Sequence, residues 1–257
     1  MQQLSGQDAM FLHAEIDGLP QHIGGVSIYD QSTAPGGKVR FKQILAMLES
    51  RLHLSPIFRR KLAFVPYGLG RPYWVEDPDF DLEYHVRHIA LPKPGDWRQL
   101  CILAARLHSV PLRRDKPMWE MYVIEGLNNL DNYPDGCFAV LLKVHHCAMD
   151  GATGTQFMNI IHDLTPETRD PGKPPPWIVE RPSRARMLAR AYVVAWKKPG
   201  QVVDMLKQAG PAFMRIRQGK KEQHFRNLEA KQRTRFQGRI SRHRVVDARH
   251  FDFEEVR

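Results

Sequence analysis

The chain has 257 residues, 42% of them hydrophobic and 26% charged, a globular composition large enough for one substantial core or two modest ones. No stretch reaches the ~18 uninterrupted apolar residues of a membrane-spanning helix, and the first eight residues lack the basic patch and apolar run of a secretory leader, so a cytoplasmic, non-spanning protein is expected. The net charge of +10 is uneven: residues 181–257 hold 20 Lys and Arg against 7 Asp and Glu, giving +13, while the first 180 residues hold 18 against 21, giving −3.

Ser5 and Asp8 precede Ala9-Met10-Phe11-Leu12, which reads as a capped short helix, and Ile23 to Tyr29, with β-branched Val26 and Ile28, reads as a strand. Phe41, Ile44, Leu45, Leu48 and Leu52 recur at helical spacing, followed by short strands at Leu62 to Val65 and at Tyr73 to Val75. Pro78, Pro92, Pro94 and Gly95 around Phe80 to Val86 favour an extended crossing with irregular ends. Leu100, Leu103, Ala104 and Leu107 predict a helix from Trp97 to Leu107. Met121 to Ile124 and Phe138 to Val144 are strand candidates, and Phe157, Ile160, Ile161 and Leu164 mark another helix.

Strands and helices interleaved in this way predict a mixed α/β layered domain over residues 1–165. Six prolines between Pro166 and Pro182 then predict an extended linker over 166–182. Residues 183–257 read as a basic segment. Apolar residues return between Arg184 and Gln218 with breaks at Pro199-Gly200 and Gly210-Pro211, predicting two or three helices. Cys101, Cys137 and Cys147 leave at least one thiol unpaired and show no metal-type spacing, which suggests a reducing compartment and cysteines that act as small core residues.

The densest chemistry lies in Val144-His145-His146-Cys147-Ala148-Met149-Asp150-Gly151. If Phe138 to His146 is extended, Phe138, Val140, Leu142, Val144 and His146 share one face and Lys143 and His145 the other. His146 then ends an apolar stripe, where partial desolvation keeps a neutral imidazole available as a general base. The same alternation turns His145 and His146 apart, against a shared metal, and turns Cys147 away from activation by His146. A structural reading also stands, in which His145 is a satisfied core histidine and Asp150 caps the next helix.

The His145-His146-Cys147-Ala148-Met149-Asp150-Gly151 run resembles the His-His-x-x-x-Asp-Gly motif of the CoA-dependent acyltransferase superfamily, which includes chloramphenicol acetyltransferase and peptide-synthetase condensation domains. Pro111-Leu112-Arg113-Arg114-Asp115-Lys116-Pro117-Met118-Trp119-Glu120, with Ile124-Glu125-Gly126-Leu127 after it, resembles the bacterial wax ester synthase/diacylglycerol acyltransferases in particular. So do Leu4 to Leu12, His22-Ile23-Gly24-Gly25 and the crossing from Phe80 to Pro94. The resemblance implies a chloramphenicol-acetyltransferase-like mixed sheet layered with helices, followed by a basic helical linker. It implies His146 as the catalytic base, with His145 and Asp150 completing the motif and Asp150 holding the turn through an ion pair. Gly151, Pro111, Leu112 and Trp119 would border the substrate channel. No cofactor or metal is implied. Acyl-CoA would be the co-substrate, and a long-chain alcohol or diacylglycerol the acceptor.

Arg113 stands where that family usually carries an acidic residue, which leaves the fine role of its loop open. Residues 233–257 resemble the lead into the family's second domain, so the resemblance implies a channel wall supplied by a C-terminal half or by a second copy. A truncated, non-catalytic lipid- or partner-binding remnant is the alternative expectation. The basic, partly apolar stretch from Arg184 to Lys207 fits an amphipathic helix at an inner-membrane face or lipid inclusion, or else an ordinary helix with a solvated basic side. Nucleic acid is a weaker reading, because no base-reading motif accompanies the charge.

Overall fold

A computed structural model describes residues 1–15, 19–149, 151–177, 179, 183–197, 243–249, 251 and 254. In chain order the elements are β1 (Gln2–Gln3), α1 (Gly6–Ala14), β2 (His22–Tyr29), α2 (Phe41–Arg51), β3 (Arg60–Ala63), β4 (Tyr73–Glu76), α3 (Leu82–His85), β5 (Val86–Ala90), α4 (Trp97–Ser109), β6 (Trp119–Leu127), β7 (Cys137–His145), α5 (Gly151–Ile161) and α6 (Arg184–Lys197). The mixed α/β architecture expected from the sequence is observed.

Local chemistry sets the helix starts. The Ser5 hydroxyl accepts from the Asp8 amide at 3.0 Å ahead of α1. Asp96 and Gln99 form a reciprocal capping box ahead of α4. The crossing at residues 80–86 is not continuously extended. Asp81 accepts from the Glu83 amide at 3.0 Å and caps α3, a single turn that precedes β5.

A four-stranded sheet in the order β2-β7-β6-β5 forms the centre, antiparallel except for the parallel β5–β6 pair. A three-stranded sheet, β1-β4-β3, lies apart from it in the strand order. β7 is an inner strand with both faces covered. Phe138, Val140 and Val144 pack with Leu48 of α2 and Phe157 of α5 on one side, and Ala139 and Leu141 pack with Leu100 and Ala104 of α4 on the other. This alternation follows the period-two pattern of the strand, and β7 begins one residue earlier and ends one later than the expected strand.

The Ile124-Glu125-Gly126-Leu127 run is a break in the β6–β7 register between Ile124 and Leu127. Gly126 takes φ +87 there, and a Cβ on it would lie 3.0 Å from the Leu91 carbonyl oxygen. The position thus demands glycine twice over, by backbone angle and by space.

The chain divides into two compact units, one of Met1–Ala63, Pro72–Arg181 and Ser241–Arg257 and the other of Phe64–Arg71 and Pro182–Ile240. This division differs from boundaries drawn on composition at 165 and 182, because residues 243–246 share a cavity with Cys101, Ala105 and Ser109 of α4. In the second unit α6 packs on the turn at Pro66–Gly68. The further helices expected beyond α6 fall outside the described residues. Among the described residues no helix is long and apolar enough to cross a membrane.

Charged residues also lie inside the core, Lys143 among them. Lys143 of β7 is fully buried, and its ammonium group donates to the Leu107 and Val110 carbonyls at 3.1 and 2.9 Å and pairs with Glu120 of β6 at 2.9 Å. Burial pushes the Glu120 carboxyl upward, but the Lys143 hydrogen bond and charge outweigh it and hold the group below its ordinary value. The Tyr122 hydroxyl donates to the same carboxylate at 2.7 Å. Replacing Lys143 by Met strands a buried carboxylate, so the expected loss is about 3–5 kcal/mol in urea unfolding, with most of it recovered in Lys143→Met/Glu120→Gln. A single-variant loss below about 1 kcal/mol would contradict this account.

Candidate active site

β7 delivers the paired histidines to the end of the sheet. His145 is the last strand residue, opposite His22 of β2, and His146 opens the turn that leads to α5. The expected extension through His146 therefore stops one residue early. The turn is tied from two sides: the His145 amide donates to the Met118 carbonyl and the His146 amide to the Gln21 carbonyl, both at 2.9 Å.

The two side chains have different surroundings. His145 is fully enclosed, and its Nδ1 accepts from the Cys147 amide at 3.0 Å. An amide N–H can only donate, so the neutral ring carries its proton on Nε2. That nitrogen faces Glu15 Oε2 at 3.7 Å. Burial lowers the His145 pKa, with Glu15 opposing and Arg114 reinforcing that direction. His146 is only partly buried. Its ring stacks on Phe11 of α1 at a centroid distance of 4.4 Å and an interplanar angle of 9°. Its Nδ1 is enclosed and, among the described residues, meets no hydrogen-bond partner.

Glu15, which directly follows α1, joins these parts. Arg114 donates to its Oε2 from Nε at 3.0 Å and from Nη2 at 2.6 Å, and the Gln21 amide reaches Oε1 at 3.4 Å. Arg114 also donates to the Leu12 carbonyl at 3.3 Å. One carboxylate thus ties α1, the approach to β2, the loop before β6 and His145 together. Nothing in linear spacing marks Glu15 for this task; Arg114 was visible only as part of the Pro-Leu run.

Of the other residues singled out by sequence, Cys147 points its thiol at Met118 Sδ, 3.5 Å away, and burial raises its pKa to about 12. It remains a thiol at neutral pH, which is unsuited to nucleophilic attack. Leu112 is buried and Pro111 exposed. Arg113 faces solvent and pairs with Asp115. Trp119 is wholly within the core, where its indole N–H donates to the Phe58 carbonyl at 2.9 Å and its ring stacks on His85. Such enclosure suits packing under the site rather than the channel border expected of it. Gly151 is the first residue of α5, and Asp150 lies outside the described residues.

The profile of the wax ester synthase/diacylglycerol acyltransferase catalytic domain matches residues 4–257, and the chain belongs to that family. A Mycobacterium tuberculosis relative bearing a diacylglycerol O-acyltransferase name is 39% identical over 171 residues, 66% of this chain and 33% of the relative. Another from that organism, with the same activity in its name and called tgs3, is 37% identical over 199 residues, 77% of this chain and 69% of the relative. Among solved structures, a wax ester synthase/diacylglycerol acyltransferase from Marinobacter aquaeolei is 34% identical, covers 61% of this chain and 37% of its own, and has a TM-score of 0.49. The chain spans about a third of the length of the first of these relatives.

Two predictions follow from the packing around the turn. Glu15→Ala leaves Arg114 and His145 without their shared carboxylate, and an unfolding free energy lower by roughly 1.5–3 kcal/mol is expected. No change in the denaturation midpoint would contradict that.

The second concerns His22, whose pKa burial lowers to about 4, with the neighbouring His108 and Lys143 charges acting the same way against the His108 carbonyl hydrogen bond. The unfolded chain binds a proton near 6.5 that the folded chain refuses until about 4. His22's contribution is therefore complete above about pH 6.5 and is lost as pH falls toward 4, at no more than about 1.4 kcal/mol per pH unit. Denaturant unfolding of His22→Gln should show a shallower acid-side decline than wild type; parallel curves would refute it.

Proposed function

We propose that this chain takes part in O-acyl transfer from an acyl-CoA thioester to a long-chain alcohol or diacylglycerol, with His146 as general base. The observation that carries this reading is the contrast between the two histidines. His145 is enclosed and committed to the turn, whereas His146 is partly open, backbone-anchored and held flat against Phe11. Membership in the wax ester synthase/diacylglycerol acyltransferase family, and the activity in the names of its relatives, support this choice of substrate classes.

In the proposed reaction, Nδ1 of His146 keeps the ring proton inside the fold, and Nε2 accepts the proton of the acceptor hydroxyl. The alcohol oxygen then forms a bond to the thioester carbonyl carbon, the C–S bond breaks, and the imidazolium returns its proton to the CoA thiolate. No covalent enzyme intermediate is needed, in keeping with Cys147 remaining a thiol. Anchoring of the ring keeps it at one angle to the incoming hydroxyl, so part of the rate enhancement comes from orientation. The amphipathic α6, with exposed Arg184, Arg186 and Arg190, suits attraction to an anionic lipid surface where such acceptors reside.

The test is transfer of labelled acyl groups from palmitoyl-CoA to hexadecanol or to dioleoylglycerol by the full chain. His146→Ala is expected to lower the rate by roughly 10²- to 10⁴-fold with little change in thermal stability. Equal rates for variant and wild type, or no ester from wild type, would overturn the reading.

A further inference from the structure

An apolar groove of about 280 Å³ lies between α5 and the face of β2 and β7 that carries Ile23 and Val144. Its site end is formed by Val144, one position before the paired histidines, by Met149, three positions after them, and by Ile23, which pairs with Val144 across the strands. From there it follows β2 to Tyr29, six residues on, a run of roughly 20 Å at the usual rise of a strand. Leu142, Phe157, Met158 and Ile161 complete its walls, so a chain lying in it would meet hydrocarbon and thioether almost throughout.

The far end is fixed. Tyr29 stacks on Phe138 at 5.1 Å, and its hydroxyl hydrogen-bonds His162 Nε2 at 2.6 Å, which holds the phenol in place at that end of the lining. Midway, Gly25 sits opposite Leu142, and a Cβ built on it meets nothing within 4 Å. The neighbouring Gly24 faces the other way, where a Cβ would lie 2.9 Å from the His108 ring. The two glycines therefore differ: Gly24 is small because the opposite face is full, while Gly25 leaves the groove open.

We propose that this groove binds one unbranched alkyl chain of a substrate, with Gly25 keeping it open and Tyr29 setting the length it accepts. The inference rests on the acyl-transfer reading above for the position of the chain's reacting end. A groove that is apolar and runs from Val144 and Met149, which flank the paired histidines in sequence, to Tyr29 suits a hydrocarbon tail and leaves a charged ligand unsatisfied.

The probe is displacement of a fluorescent fatty acid from the full chain by octanoate and by palmitate, a measurement that needs no turnover. Gly25→Leu should weaken palmitate binding roughly ten-fold relative to octanoate, the equivalent of about two methylenes left in water. Val26→Leu, on the opposite strand face, should leave both affinities within about two-fold. Gly25→Ala, checked by thermal unfolding, gives a milder change of the same sign if the leucine variant does not fold. Equal effects of Gly25→Ala or Gly25→Leu on the two acids, or none, would overturn the groove assignment. Transfer assays then separate the sources of the tail. A preference shifted toward octanoyl-CoA assigns the groove to the donor, and one shifted from hexadecanol toward octanol assigns it to the acceptor. An absence of ester from wild type tells against the acyl-transfer reading, while the binding result still decides the groove.

Discussion

Everything at the candidate site hangs on β7 being buried on both faces. A strand covered by α2 and α5 on one side and by α4 on the other has a single register, because a slip of one residue would exchange the residues facing the two layers. Lys143 sharpens that constraint. An ammonium group in the layer under α4 is tolerated only where Glu120 and the carbonyls of Leu107 and Val110 meet it, and those partners exist at one register alone. The position of His145 and His146 is thereby set by packing and by one buried charge, before any catalytic requirement enters.

That division explains what could be read from the sequence. The elements whose apolar residues follow a strict period, such as α4 and β7, were visible with ends displaced by one or two residues. α3 was not, because it owes its single turn to the Asp81 cap and to the burial of His85 between Phe80 and Trp119. The resemblance placed Trp119 at the channel border, and in the structure its indole N–H finds its partner inside the core, a contact that linear sequence does not show. At the site, the His-His run announced itself, while Glu15, Phe11 and Gln21 come from the start of the chain and meet it only through folding.

The two histidines also show how one motif can hold opposite solutions to the same problem. His145 satisfies Nδ1 with the backbone and spends its exposure entirely, so it can shape the turn but cannot meet a substrate. His146 keeps part of its ring open and is held by stacking on Phe11, a contact that constrains its plane. Rigidity and availability are thus assigned to adjacent residues.

The Glu15–Arg114 pair spans 99 positions of chain. Contacts of such sequence separation form late and together in folding, since the loop between them has to be ordered first. The turn bearing His146 is therefore tied in place only when α1 and the loop before β6 have both docked. A chain in which α1 has not docked has its histidines, but the Glu15 carboxylate does not yet stand beside their turn.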